Sequence, residues 1–222
     1  NRSETREYPQ MEERVHVEID AARGVAAEGD LFSTQGLDFG HKSGDGPGDG
    51  LIISVTFPDG KWQKAMQKAL LVHPLGGERR LALWQPLDRP DPWAMPSELA
   101  DSLVGAKRVC MYVATPAVYA GGWRPGWLDA EQLTGTVPGT ELVVKLWGAA
   151  VGRWQAVSGW SYELGGPKPV RRLVPAGSVY FFEVQSGDAT ALQELWLQSL
   201  SDETVDANDG FGLVCWGVWG RN

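Results

Sequence analysis

Lys168, Arg171 and Arg172 stand close together in the run Gly-Gly-Pro-Lys-Pro-Val-Arg-Arg-Leu-Val-Pro. Pro167 and Pro169 fix the turn between them, which lowers the entropy lost when such a segment meets a ligand. Arg153, between Gly152 and Trp154, joins them if the segments around 154–160 and 170–174 pair as strands. Further on, Asp209-Gly210-Phe211-Gly212 is a glycine turn that feeds an apolar run. Cations neutralise phosphate charge, and glycine lets a polymer approach the main chain. The chemistry that these residues suit is the gripping of a phosphate backbone. The competing reading pairs Arg171 and Arg172 with some of the many acidic residues.

Little in the chain points to bond-making or bond-breaking chemistry. Histidine does most acid–base work near neutral pH, and only His16, His41 and His73 are present. His16 falls in a strand and His73 at the end of a helix, so both read as structural. His41, in a glycine-rich loop, is the one histidine open to catalysis. There is no G-x-S-x-G elbow, no GK[ST] phosphate loop and no dinucleotide fingerprint between a strand and a helix. The cysteines, Cys110 and Cys215, sit in apolar runs outside any zinc spacing and read as buried thiols. Asp202, Glu203, Asp206 and Asp209 read as a solvated loop. No cofactor or metal is implied.

The elements that would position the basic residues are mostly strands. The chain has 222 residues, 28 Gly, 14 Pro and 11 Trp, a balance that favours turns and strands over long helices. Most of the tryptophans read as packing groups. A net charge of −8 argues against a free-standing, nonspecific nucleic-acid binder but leaves room for a local basic groove. No run is long and apolar enough to span a membrane, and no signal peptide is visible. Residues 1–13 read as a loose entry segment, 15–19 and 31–34 as strands, and 36–50 as a flexible glycine-rich linker. A strand over 51–57, a helix over 61–72, a strand over 79–84, a helix over 96–103 and a strand over 108–114 follow. That β-α-β-α-β order fits a ferredoxin-like unit lacking one strand. Residues 115–140 form an insertion. Strands are then expected over 142–150, 154–160, 170–174, 178–184 and 213–219, with a helix over 189–200. The resulting division is an entry segment over 1–50 and an α+β domain over 51–222.

Several segments share the wording of one family. These are Val157–Glu183 with its basic turn, Arg14-Val15-His16-Val17-Glu18-Ile19-Asp20, Glu28-Gly29-Asp30-Leu31-Phe32-Ser33-Thr34, Leu75-Gly76-Gly77-Glu78-Arg79-Arg80 and the closing Gly210-Phe211-Gly212-Leu213-Val214. In this order the chain resembles the third RAMP subunit of the Cmr (type III-B) CRISPR effector, a Cas-five-like family, over its C-terminal portion. It departs from the family's terminal loop, which usually has five residues between its second and third glycines, often one of them basic. Gly212 and Gly217 enclose four here, none of them charged.

The resemblance implies a RAMP-type ferredoxin-like (RRM-like) antiparallel sheet with β-hairpin insertions, with a further RAMP domain preceding the chain. It implies a cytoplasmic, non-catalytic subunit that binds the 5′ tag of CRISPR RNA, through Lys168, Arg171, Arg172, Arg153, Gly210 and Gly212. It also implies docking against the large Palm-domain subunit and a backbone RAMP subunit. Two rivals stay open: a RAMP endoribonuclease that processes repeat RNA through His41, and a tryptophan-rich glycan-binding β-protein.

Overall fold

The computed structural model describes residues 10–39, 50–55, 57, 59–62, 64, 72–76, 80–86 and 90–220. His41 lies outside them. The chain forms two compact units, Asn1–Asp88 and Arg89–Asn222, where the sequence reading divides it after residue 50.

The first unit is built on a long antiparallel ribbon of β1 (Gln10–Asp20) and β2 (Val25–Asp38), with a bulge between Val17 and Ile19. The strand therefore starts earlier than residue 15, and 36–38, expected in the linker, close the ribbon. His16 is structural, as its strand position suggested: Nε2 lies 2.8 Å from Thr34 Oγ1 and the ring stacks on Phe32. A short hairpin pairs β3 (Val72–Pro74) with β4 (Leu81–Leu83). The segment 51–55 carries no strand. Its apolar side chains, Leu51, Ile52, Ile53 and Val55, are exposed, and it pairs with no strand among the described residues.

The second unit is organised by a five-stranded antiparallel sheet. Its strands are β5 (Arg108–Val113), β6 (Thr134–Thr136), β7 (Val143–Ala150), β12 (Val179–Ser186) and β13 (Val214–Val218), in the spatial order β13-β5-β12-β7-β6. Period-two alternation puts one set of side chains on each face. Val109, Met111 and Val113 of β5, Tyr180 and Phe182 of β12, and Val214 and Trp216 of β13 are buried in one core, with Leu103, Leu128, Leu192 and Leu200 packed among them. Helices are few: α1 (Ser97–Ser102), a 3-10 turn over Ala189–Gln193 and α2 (Thr204–Asn208).

The helix expected over 189–200 is thus only that 3-10 turn. Leu197 has φ 56°, and its amide donates to Val214 O at 2.7 Å, while Val214 N donates to Gln198 O at 3.1 Å. Pairing with β13 outcompetes continuation of the helix. Small two-stranded pairs complete the unit: β8 (Gln155–Val157) with β11 (Arg171–Leu173), and β9 (Trp160–Ser161) with β10 (Gly166–Pro167).

Among the described residues, no helix is long and apolar enough to cross a membrane. Packing accounts for fewer tryptophans than composition suggested. Trp216 is buried, but Trp62, Trp93, Trp123, Trp147, Trp154 and Trp160 are exposed.

Candidate nucleic-acid interface

The pairing of β8 with β11 brings the basic residues together. Arg172 lies opposite Ala156 and Leu173 opposite Gln155, so the turn from β7 into β8, Gly152-Arg153-Trp154, runs beside Arg172. The Arg172 guanidinium sits over the Trp154 ring, 4.8 Å from its centroid. Arg153, Trp154 and Arg172 line a cavity of about 300 Å³, with Trp123 on its wall and Val174 and Pro175 below. Arg153 and Arg172 form no ion pair among the described residues. Two arginines and two half-exposed tryptophans, Trp123 at 48% and Trp154 at 50%, therefore line one opening.

The loop that carries Trp123 is held from several sides. Gly121 bridges Arg124, and Gly122 turns between them at φ 75°. The Tyr180 hydroxyl donates to Trp123 O. Burial pushes the Tyr180 phenol well above its ordinary range, so it stays a donor at every physiological pH. Asp202 accepts from Ala120 N at 2.7 Å and from Gly126 N at 2.9 Å. This acid, read from sequence as part of a solvated loop, is what staples both ends of the Trp123 loop. The floor is fixed by Val174 and Ala117, which exchange backbone hydrogen bonds of 2.9 Å.

Arg171, one residue before Arg172, turns the other way. Its Nη1 pairs with Asp206 Oδ1, and its guanidinium lies over the Phe211 ring at 5.2 Å. Asp206 is fully buried on α2. Arg171 is therefore neutralised inside the protein, as the competing sequence reading allowed. It ties β11 to the Gly210-Phe211-Gly212 turn.

That turn is also committed internally. The Gly210 amide donates to Ala207 O at 3.0 Å, and the Gly212 amide to Pro116 O at 2.9 Å. Thr115 Oγ1 donates to Gly210 O at 2.8 Å. Neither amide is left over for a ligand. Gly212 is required by geometry: it has φ 75°, and a Cβ there would lie 2.7 Å from Ser201 N.

Lys168 is exposed on the strand-like hairpin of β9 and β10. Its backbone bonds Gly159 O at 2.7 Å and accepts from Ser158 Oγ at 2.6 Å, while its side chain is not among the groups that line the cavity. Beside the basic residues, Leu173 and Val174 are buried and Val170 is exposed.

Of the six residues singled out from sequence, the structure thus gathers Arg153 and Arg172 at one opening. It commits Arg171, Gly210 and Gly212 to internal contacts and leaves Lys168 on a separate hairpin. Trp123 and Trp154 were missed as site residues. Trp154 directly follows Arg153 in sequence, whereas for Trp123 the signal was no more than an unusually high tryptophan count. Among the described residues, no group of three His, Cys, Asp or Glu side chains could hold a metal ion.

A family model described as CRISPR-associated protein (Cas_Cmr3) matches residues 2–219. No curated protein matches the chain.

Proposed function

The chain belongs to the Cas_Cmr3 family of CRISPR-associated proteins, and from that premise we propose that it anchors the 5′ tag of CRISPR RNA within a type III-B Cmr effector complex. The observation that carries this reading is the convergence of Arg153, Arg172, Trp154 and Trp123 on one cavity. Single-stranded RNA is recognised by splaying its nucleotides, stacking bases on aromatic or guanidinium planes and holding phosphates with cations. The opening supplies both kinds of group, and its shape is held by internal hydrogen bonds. In this reading the net charge of −8 limits nonspecific RNA binding, so the RNA is gripped at a small basic site while other subunits hold the rest.

The subunit performs no chemistry itself. It docks the large Palm-domain subunit and a backbone RAMP subunit in the cytoplasm of a bacterium or archaeon, and its exposed tryptophans suit large protein contacts. The sheet fits a ferredoxin-like, RAMP-type unit: with β5, β7, β12 and β13 as its four strands, their spatial order is fourth, first, third, second, all antiparallel. Loops, the 3-10 turn and the short α2 stand in place of long crossover helices. In this reading the unit comprises 108–218, whereas the sequence reading drew its strands and helices from 51–114.

The test is to assemble the complex with the intact chain and with the Arg153→Ala/Arg172→Ala variant, then sequence the small RNAs that copurify. Guide RNAs that share one 5′ tag on the intact chain, depleted on the variant, are the expected result. Equal recovery of tagged RNA on both would overturn the assignment of the tag to this opening.

A further inference from the structure

The outer face of the five-stranded sheet, opposite Tyr180 and Phe182, carries a second group of rings and cations. Tyr112 projects there from β5, Phe181 from β12 and Trp147 from a bulge in β7 between Gly148 and Leu146. Trp219, just after β13, folds over the same face. Its ring centroid lies 4.9 Å from that of Trp147 and 5.5 Å from that of Phe181, and its Nε1 donates to Phe182 O at 3.0 Å. Trp147 is 65% exposed and Tyr112 46% exposed. Arg108 stacks over Trp219 at 5.2 Å and pairs with Glu183 at 3.5 Å; Lys145, across from Glu183, is exposed. None of these side chains lines the cavity at Trp154.

We propose that this face is a second contact surface for single-stranded RNA, with bases stacking on Trp147, Phe181 and Tyr112 and phosphates meeting Lys145 and Arg108. The placement of the rings carries the argument. Phe181 and Tyr112 stand on two adjacent central strands, with Phe181 opposite Cys110, two residues along β5 from Tyr112. Aromatic side chains on the open face of a four-stranded sheet stack two or three successive bases in RRM-type recognition. Stacking of this kind tolerates any sequence, because every base has a π-face.

The cations fit the same occupant. Two positive groups share the face with one acid, in a chain whose net charge is −8. The Arg108–Glu183 pair is half-exposed, so it exchanges partners at little cost. Exposed Trp and Arg also mark protein interfaces, but Lys is depleted from their centres, and Lys145 stands among the rings. The surface is independent of the cavity at Trp154 and does not need the tag-anchoring reading to hold.

The test uses the full chain with a mixed-sequence single-stranded RNA of about eight nucleotides, within the range that one small domain covers, and the same RNA as a duplex. Quenching of tryptophan fluorescence measures affinity, and photocrosslinking locates the RNA. The expected results are preference for the single strand, crosslinked peptides from 143–150 and 179–186, and weakening by Trp147→Ala on the order of 5- to 150-fold. Because Trp147 is largely exposed, the thermal midpoint of that variant stays near the parent's. Unchanged affinity in Trp147→Ala overturns the proposal, as do crosslinks confined to 151–154 and 171–175. That second result leaves the cavity reading standing, while crosslinks confined to the sheet would remove the cavity reading and keep this one. Loss of a protein subunit from the assembled complex in Trp147→Ala, with RNA crosslinks to the sheet unchanged, would make the face a protein interface and overturn the proposal too.

Discussion

Arg171 and Arg172 are neighbours on β11 with opposite employment. Alternation along a strand sends them to opposite sides. Arg172 lies on an indole at an open cavity, with its charge unpaired by any acid among the described residues. Arg171 lies on a phenyl ring and meets a fully buried carboxylate. The first arrangement keeps a positive charge for a ligand and contributes little to folding. The second consumes the charge to hold β11, α2 and the glycine turn in one arrangement. Two identical side chains at adjacent positions thus divide into one whose charge is left open and one committed to architecture, and the difference is a buried acid within reach of Arg171.

The largest effect is expected at the glycine turn on the Arg171 side. Gly212→Ala forces an alanine to φ 75° and drives its Cβ against Ser201 N. Left-handed strain and overpacking together cost about 3–4 kcal/mol. Gly210→Ala, with φ 82° but nothing within 4 Å of the added Cβ, costs only the strain, about 1–2 kcal/mol. Denaturant midpoints of the two variants measure the difference, and equal losses would mean that the turn is not pinned at Gly212.

Arg171→Ala is the next largest. It leaves Asp206 buried without its cation, and because the Arg171 side chain is 33% exposed, the loss is set below the full range for a buried pair, at about 2–3 kcal/mol. Arg172→Ala removes a cation–π contact at an exposed ring and costs about 0.5–1 kcal/mol of stability. Its effect is on RNA: one lost phosphate contact lowers the slope of log affinity against log salt by about one. Chemical denaturation with a salt titration of RNA binding separates the two variants. If Arg171→Ala were the stable one and Arg172→Ala the unstable one, the division of labour would be reversed.

The sheet was legible where burial follows the strand period. In 108–113, 143–150, 179–186 and 214–218 the pattern of buried and exposed residues alternates, and the strands fall within a few residues of their expected limits. It was illegible where a distant partner decides. The acids at 202 and 206 look like a solvated loop until the amides of Ala120 and Gly126 and the Arg171 guanidinium arrive from remote parts of the chain. The helix expected over 189–200 yields to hydrogen bonds with β13 that no local pattern records. The cavity was half legible: two arginines beside a tryptophan could be named, and their meeting depended on the β8–β11 pairing that the sequence allowed without requiring. Trp123 could not be reached this way, because it joins the cavity from a loop anchored by Tyr180 and Asp202.

The smallest effect tests how far the binding side extends. Lys168 offers its backbone to Gly159 and Ser158, so Lys168→Ala keeps both of these hydrogen bonds of the hairpin. Its stability should change by no more than about 0.5 kcal/mol, as for other exposed substitutions. If RNA occupied only the opening between Arg153 and Arg172, the salt dependence of binding would also be unchanged. If the strand ran on from the opening along the hairpin of β9 and β10, the slope would fall by about one contact, as it does for Arg172→Ala. Combining the two substitutions then decides the path. Slopes that add place Lys168 and Arg172 on separate phosphates of one strand, whereas a double variant no different from Arg172→Ala confines the RNA to the opening and leaves Lys168 a solvated cation.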